Sequence, residues 1–329
     1  MRSRIEAAGA GSGSRVVLPS GDDAAVTVPG GATATSVDAI VDGVHFRRST
    51  HPPEAIGAKA LSVALSDLAA MGAAPGEAYV QLGLPEGITE EELAGIADGL
   101  GAMAATSGVA VAGGDVVASP VLFLAITVVG HAPDAASFVT RAGARPGDAL
   151  ILVGALGGAA AGLALLEQPG LREAVDGEAR DRLVERQTTP RALVEAGRAL
   201  AVSGAGAMID VSDGLGADAG HLARSSGVRL SIDLPANSIC DGVQAIAEAA
   251  GCDPVALAVS GGEDYALLAA VPEARRTAAV EAVQRTGDDP VLIGRVEAGE
   301  GVVLRDPMGR EVSAEGFDQV RSRVRDGPT

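Results

Sequence analysis

Residues 32–41, ATATSVDAIV, alternate with a period of two and predict a strand. Ser36, Asp38 and Ile40 fall on one face of it, and Thr35, Val37 and Ala39 on the other. From Pro53 to Met71 the period becomes helical, with proline near the start. Asp67 lies on the same stripe as Ala60, Ala64 and Met71, where a solvated carboxylate has no reason to be. EAYVQLGLP predicts a second strand, and Thr89 with Glu92 a capping box opening a helix that ends near Ser107. VAVAGG and PVLFLAITVVG follow as strands. This β-α-β-α-β-β order predicts a mixed sheet with helices on one face. HAPDAASFVTRAGARPGD, rich in Pro, Gly and polar residues, predicts a linker between domains 1–135 and 136–329.

The second domain predicts a strand at ALILVG, helices from about Gly157 and from Pro190, a strand at AMIDV, and a helix from Gly214. VRLSID, a helix near residues 273–285, and strands PVLIGRV and GVVLRD complete it. The class is α/β in an α+β arrangement, with the second domain an α/β sandwich.

At 329 residues and 47% hydrophobic content the chain can build two cores. With 2% aromatic residues, those cores must rest on Ala, Val, Leu and Ile. A net charge of −18 argues against nucleic acid and anionic membrane as partners. The first residues show no signal-peptide pattern, no run approaches a bilayer span, and Cys240 and Cys252 have no CxxC spacing. A cytoplasmic protein with two unreactive thiols is the expectation.

Against this background seven aspartates stand in apolar or glycine-punctuated segments: Asp22 and Asp23 in GDDAAV, Asp38, Asp67, Asp115 in VAGGDVV, and Asp210 and Asp213 in MIDVSDGLG. A carboxylate in such surroundings loses hydration unless a cation compensates. Two such charges about 4 Å apart repel by roughly 4 kcal/mol at an effective dielectric near 20. Mg²⁺, which takes carboxylates together with substrate phosphates, answers both problems. The pattern points to Mg²⁺-dependent phosphoryl transfer.

Local readings compete. GDDAAV also reads as a turn, and Ser212 with Asp213 as a helix cap, whereas Asp210 inside an apolar run is not explained by capping. Asp42, Asp218, Asp264 and the acids at 90–92 read as solvated or capping. His45 reads as a structural histidine or a ligand. Lys59 is the only lysine among 25 Lys and Arg residues and lies mid-helix, so no P-loop is available. GALGGAAAG has the wrong spacing for a dinucleotide fingerprint. Neither a Ser-His-Asp arrangement nor a thiol nucleophile is evident, which fits transfer without a covalent intermediate.

Taken together, GDDAAV, SVDAIVDGVHF, ALSDLAAMGA, GGD, TRAGARPGD, IDVSDGL, SGGEDY and GFDQV resemble the thiamine-monophosphate kinase family, in order and over nearly the whole chain. The resemblance implies the two-domain aminoimidazole ribonucleotide synthetase-like fold, a homodimer formed through the N-terminal sheets, and ATP bound in a cleft. It implies the conversion of thiamine monophosphate to thiamine diphosphate with several Mg²⁺ ions. Asp23, Ser36, Asp38, Asp67, Asp115, Asp210 and Asp213 become metal ligands, with Val37 contributing its backbone carbonyl. Gly114, Asp115, Arg141 and Ser212 would contact ATP; His45, Glu263 and Phe317 would contact thiamine monophosphate, Phe317 as an aromatic wall for the cation. The chain departs from the family pattern at Val37 and Val116, where Thr is usual, at Ala64 in place of Asn, and at Ser107, a position often aromatic.

Rival readings are another ATP-using member of that superfamily, such as a selenophosphate synthetase or a purine-pathway cyclase, and a non-catalytic acidic metal-binding protein. The cysteine positions speak against a selenophosphate synthetase, and SDLAAMGA together with SGGEDY against a purine-pathway cyclase. Metal affinity that rises with nucleotide would separate an enzyme from the last.

Overall fold

The structure is a computed structural model that describes residues 15–18 and 24–312. The chain groups into two compact units. The first comprises the residues up to Thr140 with 188–204 and 281–287; the second comprises 141–187, 205–280 and the residues from 288. The chain thus returns to the first unit after the linker. Ser62 shows why residues 188–204 do so: its hydroxyl donates to the Pro190 carbonyl at 2.5 Å and accepts from the Ala192 amide at 3.0 Å.

In chain order the first unit has β1 (Val16–Leu18), β2 (Val26–Thr27), β3 (Ala32–Val41), α1 (Pro53–Ala70), β4 (Ala74–Leu84), α2 (Glu90–Ser107), β5 (Ala110–Ala118) and β6 (Phe123–Ala132). Among the described residues, β1 and β2 form a small ribbon and the other strands a mixed sheet in the order β3-β6-β4-β5. Only β4 and β5 run parallel in it.

The expected period in β3 holds. Ala34 and Ile40 are buried, whereas Thr35, Val37 and Ala39 are exposed. α1 packs against β3, β6 and β4, so the helices cover one face of the sheet. From Ile56 to Ala70 every residue of α1 is buried except Asp67. α1 and α2 can approach closely because glycines meet there. A Cβ on Gly57 would lie 1.9 Å from the Ile96 carbonyl oxygen, and one on Gly99 1.8 Å from that of Glu54. α2 opens with both halves of the Thr89–Glu92 capping box. β6 extends through Ala132 and so takes up the first residues of the expected linker.

The chain continues through β7 (Ala149–Val153), α3 (Gly158–Glu167), α4 (Gly177–Thr188), α5 (Val194–Val202), β8 (Ala207–Val211), α6 (Leu215–Ser226), β9 (Arg229–Asp233), α7 (Val243–Ala250), α8 (Pro254–Ser260), β10 (Ala266–Val271), α9 (Arg276–Gln284), β11 (Pro290–Glu297) and β12 (Gly301–Arg305). α5 begins after Leu193 rather than at Pro190, because the residues before it are held in a non-helical path on Ser62. The strands of the second unit form one sheet in the order β12-β9-β11-β7-β10-β8, parallel only between β12 and β9. β7, β8 and β10 are buried along their whole length, as the unbroken apolar runs of β7 and β10 require; in β8 that burial includes Asp210. No helix among the described residues is long and apolar enough to cross a membrane.

Candidate active site

In the first unit, β3 presents Ser36 and Asp38 on its helix-facing side, and α1 brings Asp67 to the same place. The Ser36 hydroxyl donates to Asp67 Oδ2. Asp67 is therefore the one opening in the buried stretch from Ile56 to Ala70, met by a hydroxyl from the sheet. Asp38 folds back to accept the Ala39 amide at 2.7 Å, and Asp115 accepts the Val116 amide at 2.8 Å in the same manner.

The register keeps these last two apart. Asp38 lies in the row Asp38–Ile126–Val80–Gly114, and Asp115 in the next row, Ala39–Ala125–Gln81–Asp115. Neighbouring rows face opposite sides of a sheet, and three strand spacings are about 14 Å. Asp38 and Asp115 thus stand at opposite edges of the sheet. Gly114 has a packing reason of its own: a Cβ there would lie 2.0 Å from the Val80 carbonyl oxygen. The Val37 side chain is 68% exposed on the uncovered face.

His45 sits in the loop after β3. Its Nδ1 accepts the Val41 amide at 3.1 Å, so the neutral ring carries its proton on Nε2.

In the second unit, Asp210 is buried at the end of β8, and the chain turns through Ser212 and Asp213 into α6. The helix cap is Gly214, at φ 103°, and among the described residues no side chain caps it. Asp218, from the first turn of α6, reaches back instead. Its Oδ2 accepts the amides of Ser212 and Asp213, each at 3.0 Å. Burial, then the charge of Asp210, push the Asp218 carboxyl up to about 7. The sequence reading of Asp218 is solvated or capping, because its position at i+8 from Asp210 carries no local signal of this contact.

SGGEDY closes on the same turn. The Glu263 amide donates to the Ser212 carbonyl at 2.8 Å and the Tyr265 amide to that of Val211 at 2.9 Å. Glu263 (φ 67°) and Tyr265 (φ 49°) are the only non-glycine residues at positive φ among the described residues. Such backbone strain persists where the surroundings over-determine it, and it clusters at functional sites. Glu263 Oε2 accepts from Gln187 Nε2 at 2.8 Å. Between the two strained residues, Asp264 accepts the amides of Gly157 (2.6 Å) and Ala159 (3.1 Å) at the start of α3. Asp264 is thus a cap, as expected, but for a distant helix. Burial pushes its carboxyl up to about 7 against those amides and Arg186.

Arg141 is exposed at the start of this unit and holds the Ser226 hydroxyl on its carbonyl at 3.0 Å. His221 is held below its ordinary value by burial, then by Arg224 and Arg141, with Asp213 opposing. Arg141 and Asp213 therefore act on one corner of the unit. Asp22, Asp23 and Phe317 lie outside the described residues. Among those described, no group of three or more His, Cys, Asp or Glu side chains is arranged to hold a metal.

Two domain models match: the AIR synthase related protein N-terminal domain over residues 21–132 and its C-terminal domain over residues 145–307. The thiamine-monophosphate kinase of Mycobacterium tuberculosis is 38% identical over 77% of this chain and 74% of that protein. That of Escherichia coli K12 is 35% identical over 92% of each. The chain belongs to the thiamine-monophosphate kinase family. It is accordingly a phosphotransferase of the expected two-domain α/β class. The solved kinase of Stenotrophomonas maltophilia K279a superposes with a TM-score of 0.82, at 34% identity, covering 92% of this chain and 94% of that one. AaThiL complexed with AMPPCP and TMP superposes at 0.75, with 33% identity and 87% of each chain covered. The hydrogenase maturation protein HypE of E. coli shares the fold alone, at 23% identity and a TM-score of 0.75.

Proposed function

We propose that this kinase converts ATP and thiamine monophosphate to ADP and thiamine diphosphate by direct in-line transfer. The observation that carries the reading is the family relationship, joined to one relative's binding of AMPPCP, a non-hydrolysable ATP analogue, together with TMP. A phosphate oxygen of thiamine monophosphate attacks the γ-phosphorus, and the bond from that phosphorus to the ADP oxygen breaks. The nucleophile has a second pKa near 6 and is already ionised at pH 7, so no strong base is needed.

Mg²⁺ fits the residues present. Ser36, Asp38, Asp67, Asp115, Asp210 and Asp213 are hard oxygen donors, Asp23 and the Val37 carbonyl would add to them, and the charge of Asp210 raises Asp218. Mg²⁺ binds through one or two carboxylates plus substrate phosphate rather than in all-protein cages, in keeping with the lack of a three-ligand group among the described residues. The separation of Asp38 from Asp115 favours more than one ion. When bound, Mg²⁺ would screen the two polyanions. Gly114, Asp115, Arg141 and Ser212 are assigned to ATP. His45, which carries its proton on Nε2, is assigned to the substrate phosphate, and Glu263 and Phe317 to the rest of thiamine monophosphate.

We assign the chain to the cytoplasm as a homodimer joined through the uncovered face of the β3-β6-β4-β5 sheet. Val37 (68% exposed), Ala39 and Val117 stand on that face. Light scattering at micromolar concentration should give twice the chain mass; a monomer would refute the pairing. The reaction itself is tested by mixing the enzyme with ATP, Mg²⁺ and thiamine monophosphate. Thiamine diphosphate with stoichiometric ADP is expected. A labelled phospho-enzyme trapped without acceptor would overturn direct transfer.

A further inference from the structure

The loop after β3 uses the same device twice. His45 Nδ1 accepts the amide four residues before it, that of Val41, at 3.1 Å; His51 Nδ1 faces the amide four residues before it, that of Arg47, at 3.5 Å. The first ring is half-buried and the second is 3% exposed. The Thr50 hydroxyl lies 3.0 Å from His51 Nδ1 and 3.3 Å from the Arg47 carbonyl, and the His51 amide closes the turn on that carbonyl at 2.9 Å.

His51 is chemically quiet. Burial, then the charge of Lys59, hold it down to about 4, so it is neutral at pH 7. Its Nε2 is buried with no hydrogen-bond partner among the described residues. A buried imidazole with one nitrogen unsatisfied costs stability. What the ring supplies in return is Nδ1, which faces the Arg47 amide and the Thr50 hydroxyl.

What His51 does reach is the part of the loop that presents His45. The Phe46 ring meets it edge-on, with centroids 6.2 Å apart at 61°. Phe46, itself 3% exposed, adjoins His45, and its carbonyl takes the Gly43 amide at 2.8 Å. Asp42 bridges to Phe46, and Asp42 Oδ1 accepts the Arg48 amide at 3.3 Å. A rigid connection therefore runs from the buried ring to the half-exposed one.

We propose that His51 is a positioning residue: with Phe46 it anchors the 46–51 loop to the core so that His45 keeps the ring orientation that donates from Nε2 to an anionic ligand. This rests on the assignment of His45 to the substrate phosphate.

The test uses the full chain with His51→Ala and His51→Asn. The asparagine can place its amide oxygen where Nδ1 stands and restore the acceptor. In His51→Ala the KM for thiamine monophosphate should rise about fivefold, the loss of a hydrogen-bonded constraint, while kcat and the KM for ATP change less than about twofold. His51→Asn should recover most of the loss. Equal behaviour of the two variants, or an unchanged KM in both, would overturn the proposal.

Amide exchange gives a readout that needs no turnover. Val41 and His45 amides should exchange at least about tenfold faster in His51→Ala than in the parent, and unchanged exchange would overturn the proposal on its own. Failure of the parent to make thiamine diphosphate would instead sink the functional reading and leave the exchange comparison standing. Should His51→Ala not fold, Phe46→Leu, which keeps apolar volume and removes the edge contact, is expected to give the same KM and exchange changes.

Discussion

The two units handle acidic groups in opposite ways. In the first, Asp67 is the single partly exposed residue of a buried helix stretch, and its partner is a neutral hydroxyl from β3. In the second, Asp218 is buried, takes two backbone amides and lies within the field of Asp210, which pushes it up to about 7. The first arrangement leaves a carboxylate open to a ligand. The second uses a carboxyl to shape a turn, and proton uptake relieves its repulsion from Asp210. The lesson is that an acidic residue in an apolar segment has two fates, ligand or brace, and hydrogen-bond partners separate them where sequence context does not.

Breaking the first arrangement should have the largest effect. Asp67→Asn is expected to lower turnover by about a thousandfold at saturating Mg²⁺, as loss of a carboxylate that would hold the metal does, while circular dichroism stays that of the parent. Turnover near the parent's would remove Asp67 from the site. Ser36→Ala sharpens the same contrast. With the charge kept and one hydrogen bond gone, about tenfold is expected. A loss as large as that of Asp67→Asn would mean that the hydroxyl, not the carboxylate, is the decisive ligand.

The second arrangement is tested by pH without metal. Asp218 and Asp264 have folded values near 7 against an ordinary 3.8, so the native state holds protons that the unfolded chain has released. Their contribution to stability is complete below about pH 4 and is lost as pH rises to about 7, by at most ~4 kcal/mol for each carboxyl. Asp218→Asn, which retains an acceptor oxygen, should flatten that slope and raise the metal-free Tm at pH 8 by a few degrees. A steeper slope, or a lower Tm at pH 8, would show that Asp218 is ionised and stabilising in the native state.

The smallest effect belongs to His45→Gln. The KM for thiamine monophosphate should rise about threefold to tenfold, with kcat reduced by less than about twofold. A fall in kcat alone would make His45 a group that acts only in the transition state.

Much of the first unit was legible because its signals are local. The alternation in 32–41 places Ser36 and Asp38 correctly, and the Thr89–Glu92 box forms as read. What stayed hidden depends on strand order and on partners remote in sequence. Nothing local tells that β3 and β5 are opposite edges of one sheet, so the distance between Asp38 and Asp115 could not be read. α4, GEARDRLVERQT, carries too few apolar residues for its period to stand out, and α7 and α8 are short. The strain at Glu263 and Tyr265 is a tertiary product: Val211 and Ser212 hold the two amides, and no residue type announces a positive φ there.

The Asp264 contact also has a consequence in time. The amides that begin α3 wait for an acceptor 107 residues further along the chain. On a ribosome adding about 5–20 residues per second, that interval lasts roughly 5–20 s. During it α3 emerges without its cap and β7 without β10, its antiparallel neighbour. The nascent second unit cannot close on its first half alone, so a synthesis pause placed before codon 264 would prolong the exposure of β7, an unbroken apolar strand, to chaperones or to other chains.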